Sequence, residues 1–191
     1  MGGGDEQLML AYREGDAAAF EELYRRHKGG LYRFVLRSVR ERALADELYQ
    51  EIWMRVIESR ARYEPPAPGA GPPAKFSTWL YTIAHNRLVD HWRRKGLRVV
   101  SIDDEAASID PPAGPAADPA RVVEAKQGLE RFARALEALP QAQREAYLLH
   151  EEGGMTVAEI ANATGANEEA AKSRLRYALS KLRQALEGEE P

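Results

Sequence analysis

The 191-residue chain contains no cysteine, which removes disulfides, thiolate nucleophiles and thiolate metal ligands from consideration. No apolar run approaches the roughly 18–20 residues needed to cross a bilayer. The opening Met1-Gly2-Gly3-Gly4-Asp5 lacks the basic and apolar segments of a signal peptide. A cytoplasmic protein without membrane insertion is therefore expected. No stretch alternates with period two, so strands are not expected. The histidines, His27, His85, His91 and His150, show no metal-ligand spacing with carboxylates, and His150-Glu151-Glu152 lacks the second histidine of a zinc helix. There is no glycine-rich phosphate loop, Ser-His-Asp arrangement or cofactor fingerprint. Neither an enzyme nor a metal or cofactor site is expected.

Net charge is −3, from 27 Lys+Arg against 30 Asp+Glu. Its distribution says more than its sum. Residues 1–100 carry +4, residues 101–135 carry −3 and residues 136–191 carry −4. Basic side chains cluster locally at Arg93-Arg94-Lys95 and at Lys172, Arg174 and Arg176. Phosphate contact depends on a local basic face, so the overall acidity does not exclude DNA but predicts weak binding by the isolated chain.

Two stretches interrupt the helical pattern. Residues 64–74 hold five prolines and two glycines and cannot form a regular element. Residues 101–120 carry Asp103, Asp104, Glu105, Asp110 and Asp118 among four prolines, which reads as an extended acidic linker. Elsewhere, Asp16 is placed to cap a helix through Phe20, Leu23 and Tyr24 that the Gly29-Gly30 pair ends near His27. A second helix follows from Leu31 to about Val39. Residues 43–59 form the longest, with Leu44, Leu48, Ile52 and Val56 recurring at i+4 beside Tyr49, Trp53 and Ile57. A fourth spans 77–95, with Ser77 at its N-cap and Trp79, Leu80, Ile83 and Ala84 in the core. The expected fold is all-α, with two helical domains at 1–98 and 125–191 joined by a linker at 99–124.

The strongest local signal lies at 155–186. Thr156 and Glu159 have capping-box spacing, Gly165 suits a left-handed turn, and Asn167 can cap the following helix. That helix has Leu175, Leu179, Leu182 and Leu186 on one side. The opposite arc presents Glu169, Ser173, Arg174, Arg176, Tyr177, Ser180 and Lys181. A helix-turn-helix placing such a face in the major groove is the DNA-binding reading, and a solvated basic face is the other. Glu168 and Glu169 complement the helix dipole and could also accept from cytosine.

The stretch from Ala45 to Val56 resembles region 2.2 of bacterial sigma factors. Phe76 to Lys95 resembles regions 2.3 and 2.4, and Leu139 to Leu149 with the helix-turn-helix resembles regions 4.1 and 4.2. The blocks stand in the family's order, and having only regions 2 and 4 points to the extracytoplasmic-function group. The resemblance implies a non-enzymatic subunit of RNA polymerase holoenzyme. It would bind the polymerase β and β′ subunits, recognise the −10 and −35 promoter elements, promote melting, and answer to an anti-sigma factor.

Carried onto this sequence, the resemblance assigns polymerase docking to Asp46, Glu47, Leu48, Gln50 and Glu51. It assigns −10 DNA to Tyr81, Asn86, Arg87, Asp90, His91, Arg93 and Arg94, with Tyr81 and Trp92 as stacking platforms. It assigns −35 DNA to Lys172, Ser173, Arg174, Arg176, Tyr177 and Lys181. The acidic linker either mimics phosphate in the polymerase channel or serves as a solubilising tether. Two departures leave the promoter sequence open: the long proline-rich segment before Phe76, and Asn167 to Ala171 where the family has a proline and small residues. A promoter-binding repressor or activator would explain the C-terminal half equally well but leaves residues 45–56 and 76–95 without a role.

Overall fold

The computed structural model describes residues 4–64, 75–94, 96 and 119–187, and the side chains within the last stretch from 126 onward. Among these residues there are eight α-helices and no strand. They are α1 (Asp5–Arg13), α2 (Ala17–Val39), α3 (Arg42–Ser59), α4 (Phe76–Arg94), α5 (Pro119–Ala138), α6 (Gln141–Glu151), α7 (Val157–Thr164) and α8 (Glu168–Glu187). None is long and apolar enough to cross a membrane. Of the linker expected at 99–124, residues 99–118 lie outside the described residues, and 119–124 are already helical.

Helix α2 begins as its sequence predicts. The Asp16 carboxylate accepts from the amides of Ala18 at 2.9 Å and Ala19 at 3.3 Å. It does not end at Gly29-Gly30 but runs through both to Val39. The apolar stripe is the reason, because Leu23, Leu31, Phe34 and Val35 share one buried face that a break would split. Gly30 also has a packing role: a Cβ there would lie 2.9 Å from the Tyr81 hydroxyl. The helix stops at Arg40, whose φ of 62° is left-handed and whose amide donates to the Leu36 carbonyl at 2.8 Å.

Helix α4 also starts differently from its sequence reading. Ser77 lies inside the helix, and the amide of Phe76 donates to the Glu6 carboxylate of α1 at 3.0 Å. Helix α1 itself has no counterpart in the sequence-based expectation. It is short, and only Met9 is fully buried. Beyond α3, a single 3-10 turn (Arg60–Arg62) leads to Tyr63, whose ring meets Phe76 at 6.3 Å and Trp79 at 5.2 Å. Those contacts bring the two sides of the proline-rich segment together. Burial pushes the Tyr63 hydroxyl up to about 12, with the nearby carboxylates of Glu6 and Asp5 adding to it.

The α1–α4 core joins Met9, Leu23, Leu31, Phe34, Leu48, Ile52, Phe76, Leu80 and Leu88. In the C-terminal half, α8 packs against α5, α6 and α7 through Leu175, Ala178 and Leu182. The other two leucines expected on its buried side, Leu179 and Leu186, are exposed. The helix-turn-helix matches its sequence signals. Thr156 accepts from the Glu159 amide at 3.3 Å, and Glu159 accepts from the Thr156 amide at 2.7 Å. Gly165 adopts φ 65°, and Asn167 accepts from the Ala170 amide at 2.7 Å. Thr156→Ala should lower stability by about 1 kcal/mol. A urea midpoint that falls with an unchanged m-value would support this, and an unmoved midpoint would remove the cap's role.

Candidate functional site

Three polar faces lie on the surface of this frame. On α8, Lys172, Arg176, Tyr177 and Lys181 are exposed and Ser173 and Arg174 are half-buried. The Arg176 guanidinium sits 5.2 Å from the centroid of the Tyr177 ring, which holds both side chains outward. Glu168 and Glu169 are exposed in the first turn. The face therefore offers basic groups and acceptors along the outer side of one helix, as a major groove requires.

On α3, Asp46, Glu47 and Gln50 are exposed. Asp46 accepts from the Tyr32 hydroxyl at 2.8 Å, and that bond, with burial, raises the phenol above its ordinary range. Leu48 points the other way, fully buried in the core, so it holds α3 in place and does not reach the surface. Glu51 binds the Nε of Arg87 on α4. Met54 has no place in the sequence-based assignment. It is 55% exposed, one turn beyond Gln50 and two beyond Glu47 on the same face. A large apolar residue interrupting the polar side of an amphipathic helix is the signal in the sequence that points to it.

Helix α4 divides its expected DNA residues in two. Asn86, Arg93 and Arg94 are exposed, and Asp90 and His91 are half-buried, following Asn86 along the helix at helical spacing. Trp92 is half-buried against the core. Tyr81 and Arg87 are not on that face. Tyr81 is 1% exposed, set edge-on to Phe34 with ring centroids 5.2 Å apart. Burial pushes its hydroxyl well above the ordinary phenol range, as does the Glu152 charge. Arg87 is buried against Glu51, joining α4 to α3. In this arrangement neither can stack on or bind a base.

The two halves of the chain meet directly. Glu152, just past α6, receives three hydrogen bonds from the Arg33 side chain, from Nε at 2.9 and 3.1 Å and from an Nη at 2.7 Å, and one from Arg37 at 3.2 Å. The Arg40 guanidinium donates to the Glu137 carbonyl. Thr78 donates to Glu159 at 2.6 Å, and His85 pairs with Glu145 at 2.6 Å. Burial pushes the Glu159 carboxyl up, but bonds from the Thr156 amide and the Thr78 and Thr156 hydroxyls outweigh it. With the Lys75 charge they hold it below the ordinary carboxylate range. Arg144, buried near Arg40, is pulled down to about 10. Among the described residues, no group of three or more His, Asp or Glu is placed to hold a metal ion.

Residues 23–98 match the model of sigma-70 region 2, and residues 129–182 match that of sigma-70 region 4. The ECF RNA polymerase sigma factor SigK of Mycobacterium tuberculosis is 33% identical over 175 residues, covering 90% of this chain and 88% of that one. The chain belongs to the extracytoplasmic-function RNA polymerase sigma factors. The fold agrees. CnrH, solved in complex with the cytosolic domain of CnrY, aligns with TM-score 0.63 at 22% identity, over 97% of this chain and 99% of that one. RpoE from Bartonella quintana, solved in complex with the anti-sigma factor NepR, aligns with TM-score 0.64 at 23% identity, over 90% and 98%. This sigma factor is thus a non-enzymatic subunit that gives RNA polymerase promoter specificity in transcription initiation. The three polar faces belong to its region 2 (α3 and α4) and its region 4 (α8).

Proposed function

We propose that the sigma factor grips core polymerase through the exposed strip of Asp46, Glu47, Gln50 and Met54 on α3. Carboxylates and an amide suit a basic partner, and the exposed Met54 thioether offers an apolar anchor at the end of the strip. Glu51 contributes mainly within region 2, through Arg87. The −10 element is read by Asn86, Asp90, His91, Arg93 and Arg94, and the −35 element by Lys172, Ser173, Arg174, Arg176, Tyr177 and Lys181. Arginines hold phosphates, while Asn86 offers donor and acceptor to an unstacked base. Capturing only unpaired bases shifts the strand equilibrium towards the melted state without any chemical step. Residues 1–98 and 125–191 act as the two promoter-reading domains and 99–124 as their tether. The protein works in the cytoplasm, beside its polymerase, and is restrained by an anti-sigma factor. The likeness to RpoE of Bartonella quintana, a sigma factor held by the anti-sigma factor NepR, supports that last point.

The observation that carries this reading is the outward orientation of the α3 and α8 polar faces while their apolar sides close the core. Glu47→Ala with Gln50→Ala should weaken binding to sigma-free core polymerase by about tenfold, each lost contact contributing roughly 0.5–1.5 kcal/mol. Competition against housekeeping sigma measures it, with thermal melting unchanged. Full affinity in the double variant would move docking away from α3. Glu51 is left intact because its loss would strand the buried Arg87 guanidinium and confuse folding with docking.

A further inference from the structure

One corner of region 2 has no part in the docking or reading faces. The 3-10 turn Arg60–Arg62 lies against α1. Arg60 is exposed, and its guanidinium sits 5.5 Å from the centroid of the Tyr12 ring. Phe20 backs that ring at 4.7 Å. Arg13, next along α1, donates to the Tyr63 carbonyl at 3.1 Å and ties the turn to the helix. Arg62 is exposed as well. Among the described residues neither Arg60 nor Arg62 has a carboxylate in ion-pair contact, although Glu58 and Glu64 are exposed nearby in the chain. One cation at the end of α3 complements its helix dipole. That accounts for the charge of Arg60, but not for the ring beneath it or for the second open guanidinium.

The corner stands where a melted strand would arrive. On the −10 reading of α4, Arg93 and Arg94 hold duplex phosphates and Asn86 the first unstacked base, so the strand runs along the helix towards Phe76. The stretch from Asn86 back to Phe76 covers about 15 Å at ~1.5 Å per residue. About four or five nucleotides at ~3.4 Å each span it. Phe76 donates its amide to Glu6 of α1 and packs against Tyr63. A strand passing the first turn of α4 therefore meets the corner next.

We propose that this corner is a single-strand DNA site, taking a base of the melted strand beyond those read by α4. Arg60, backed by the Tyr12 ring, offers a guanidinium plane to the base, and Arg62 offers charge to the adjoining phosphate. The site deepens the −10 reading and rests on it. It binds only the melted state and so favours melting. An acidic protein segment is the rival occupant, and it would need the charges but not the plane.

Fork-junction DNA cut from a promoter that the holoenzyme transcribes tests the site, with affinity read by fluorescence anisotropy at fixed salt. One fork ends its unpaired strand at the −10 bases. The other extends it by about ten nucleotides, more than α4 covers at ~3.4 Å each. With the parent chain in holoenzyme, the extension should tighten binding about tenfold. Arg60→Ala with Arg62→Ala should erase that gain while the short fork binds as before. Both side chains are exposed, so the thermal midpoint of the chain should not move. Arg60→Lys keeps the charge and loses the plane. An abasic nucleotide scanned through the extension should therefore cost the parent several-fold at the stacked position and cost Arg60→Lys nothing there. No gain from the extension in the parent, or a full gain in the double variant, would overturn the site. So would an equal loss on both forks, or an abasic scan that Arg60→Lys leaves unchanged. A double variant that loses affinity for core polymerase without DNA would make the corner a protein-docking surface instead. A gain from the extension with no preference for the −10 fork over a scrambled one would remove the −10 reading of α4 and leave the single-strand site in place.

Discussion

Leu48→Ala should lower the stability of this sigma factor by about 2–5 kcal/mol, because it opens a cavity between α3 and the rest of the region 2 core. Leu48 is fully buried beside Ile52 and Val56. Its loss removes apolar burial and the packing that fixes the direction of the exposed Asp46-Glu47-Gln50 strip. Chemical denaturation measures the loss directly. Polymerase binding should fall only by the fraction of molecules unfolded, and low temperature or a stabilising osmolyte should recover it. A variant of full stability that still fails to bind would return Leu48 to the docking surface. Marginal stability of roughly 5–15 kcal/mol is usual for a domain, so this one substitution could remove a large part of it.

The second large effect belongs to α8. Replacing Arg174 and Arg176 together by Ala should weaken binding of holoenzyme to a −35-dependent promoter by roughly 10²-fold at moderate salt, taking about 1–3 kcal/mol for each specific contact. The slope of log K against log salt should fall by about 0.9 for each arginine that holds a phosphate. If both contact phosphate, the slope drops by nearly two and every promoter loses affinity alike. If one reads a base, the slope drops by about one and the loss depends on sequence. An unchanged slope and footprint would make both arginines solvated surface. The stacking of Arg176 near Tyr177 gives a companion test: Tyr177→Ala should release Arg176 and lower the salt slope of binding without changing the fold.

What the sequence made legible, and what it hid, divide along a physical line. Signals carried by neighbours in the chain could be read: the Asp16 cap, the Thr156–Glu159 box, the Gly165 turn and the Asn167 cap all stand where their chemistry predicts. Signals that depend on distant partners could not. Gly29-Gly30 has a local preference to stop a helix, but the continuous stripe from Leu23 to Val35 and the space needed by Tyr81 outweigh it. Ser77 is a reasonable cap by type, yet Glu6 from another helix takes the work at Phe76. Resemblance singled out helices but could not tell which sides of them face outward. Leu48, Tyr81 and Arg87 share helices with exposed polar side chains and turn inward. Leu179 and Leu186 were expected inward and face solvent, because α5, α6 and α7 cover only part of the α8 circumference.

Tyr63 carries a consequence for how the sequence of such a chain can diverge. It is buried against Phe76 and Trp79, so the chain leaves and re-enters region 2 at points pinned by aromatic packing. Doubling the length of a flexible connection adds only about 0.6 kcal/mol of closure entropy. Insertions, deletions and prolines can therefore accumulate between Glu64 and Lys75 over generations with almost no effect on folding. Selection can rewrite the segment leading into α4 while the scaffold on either side stays still, so related chains can differ in length there and keep one core.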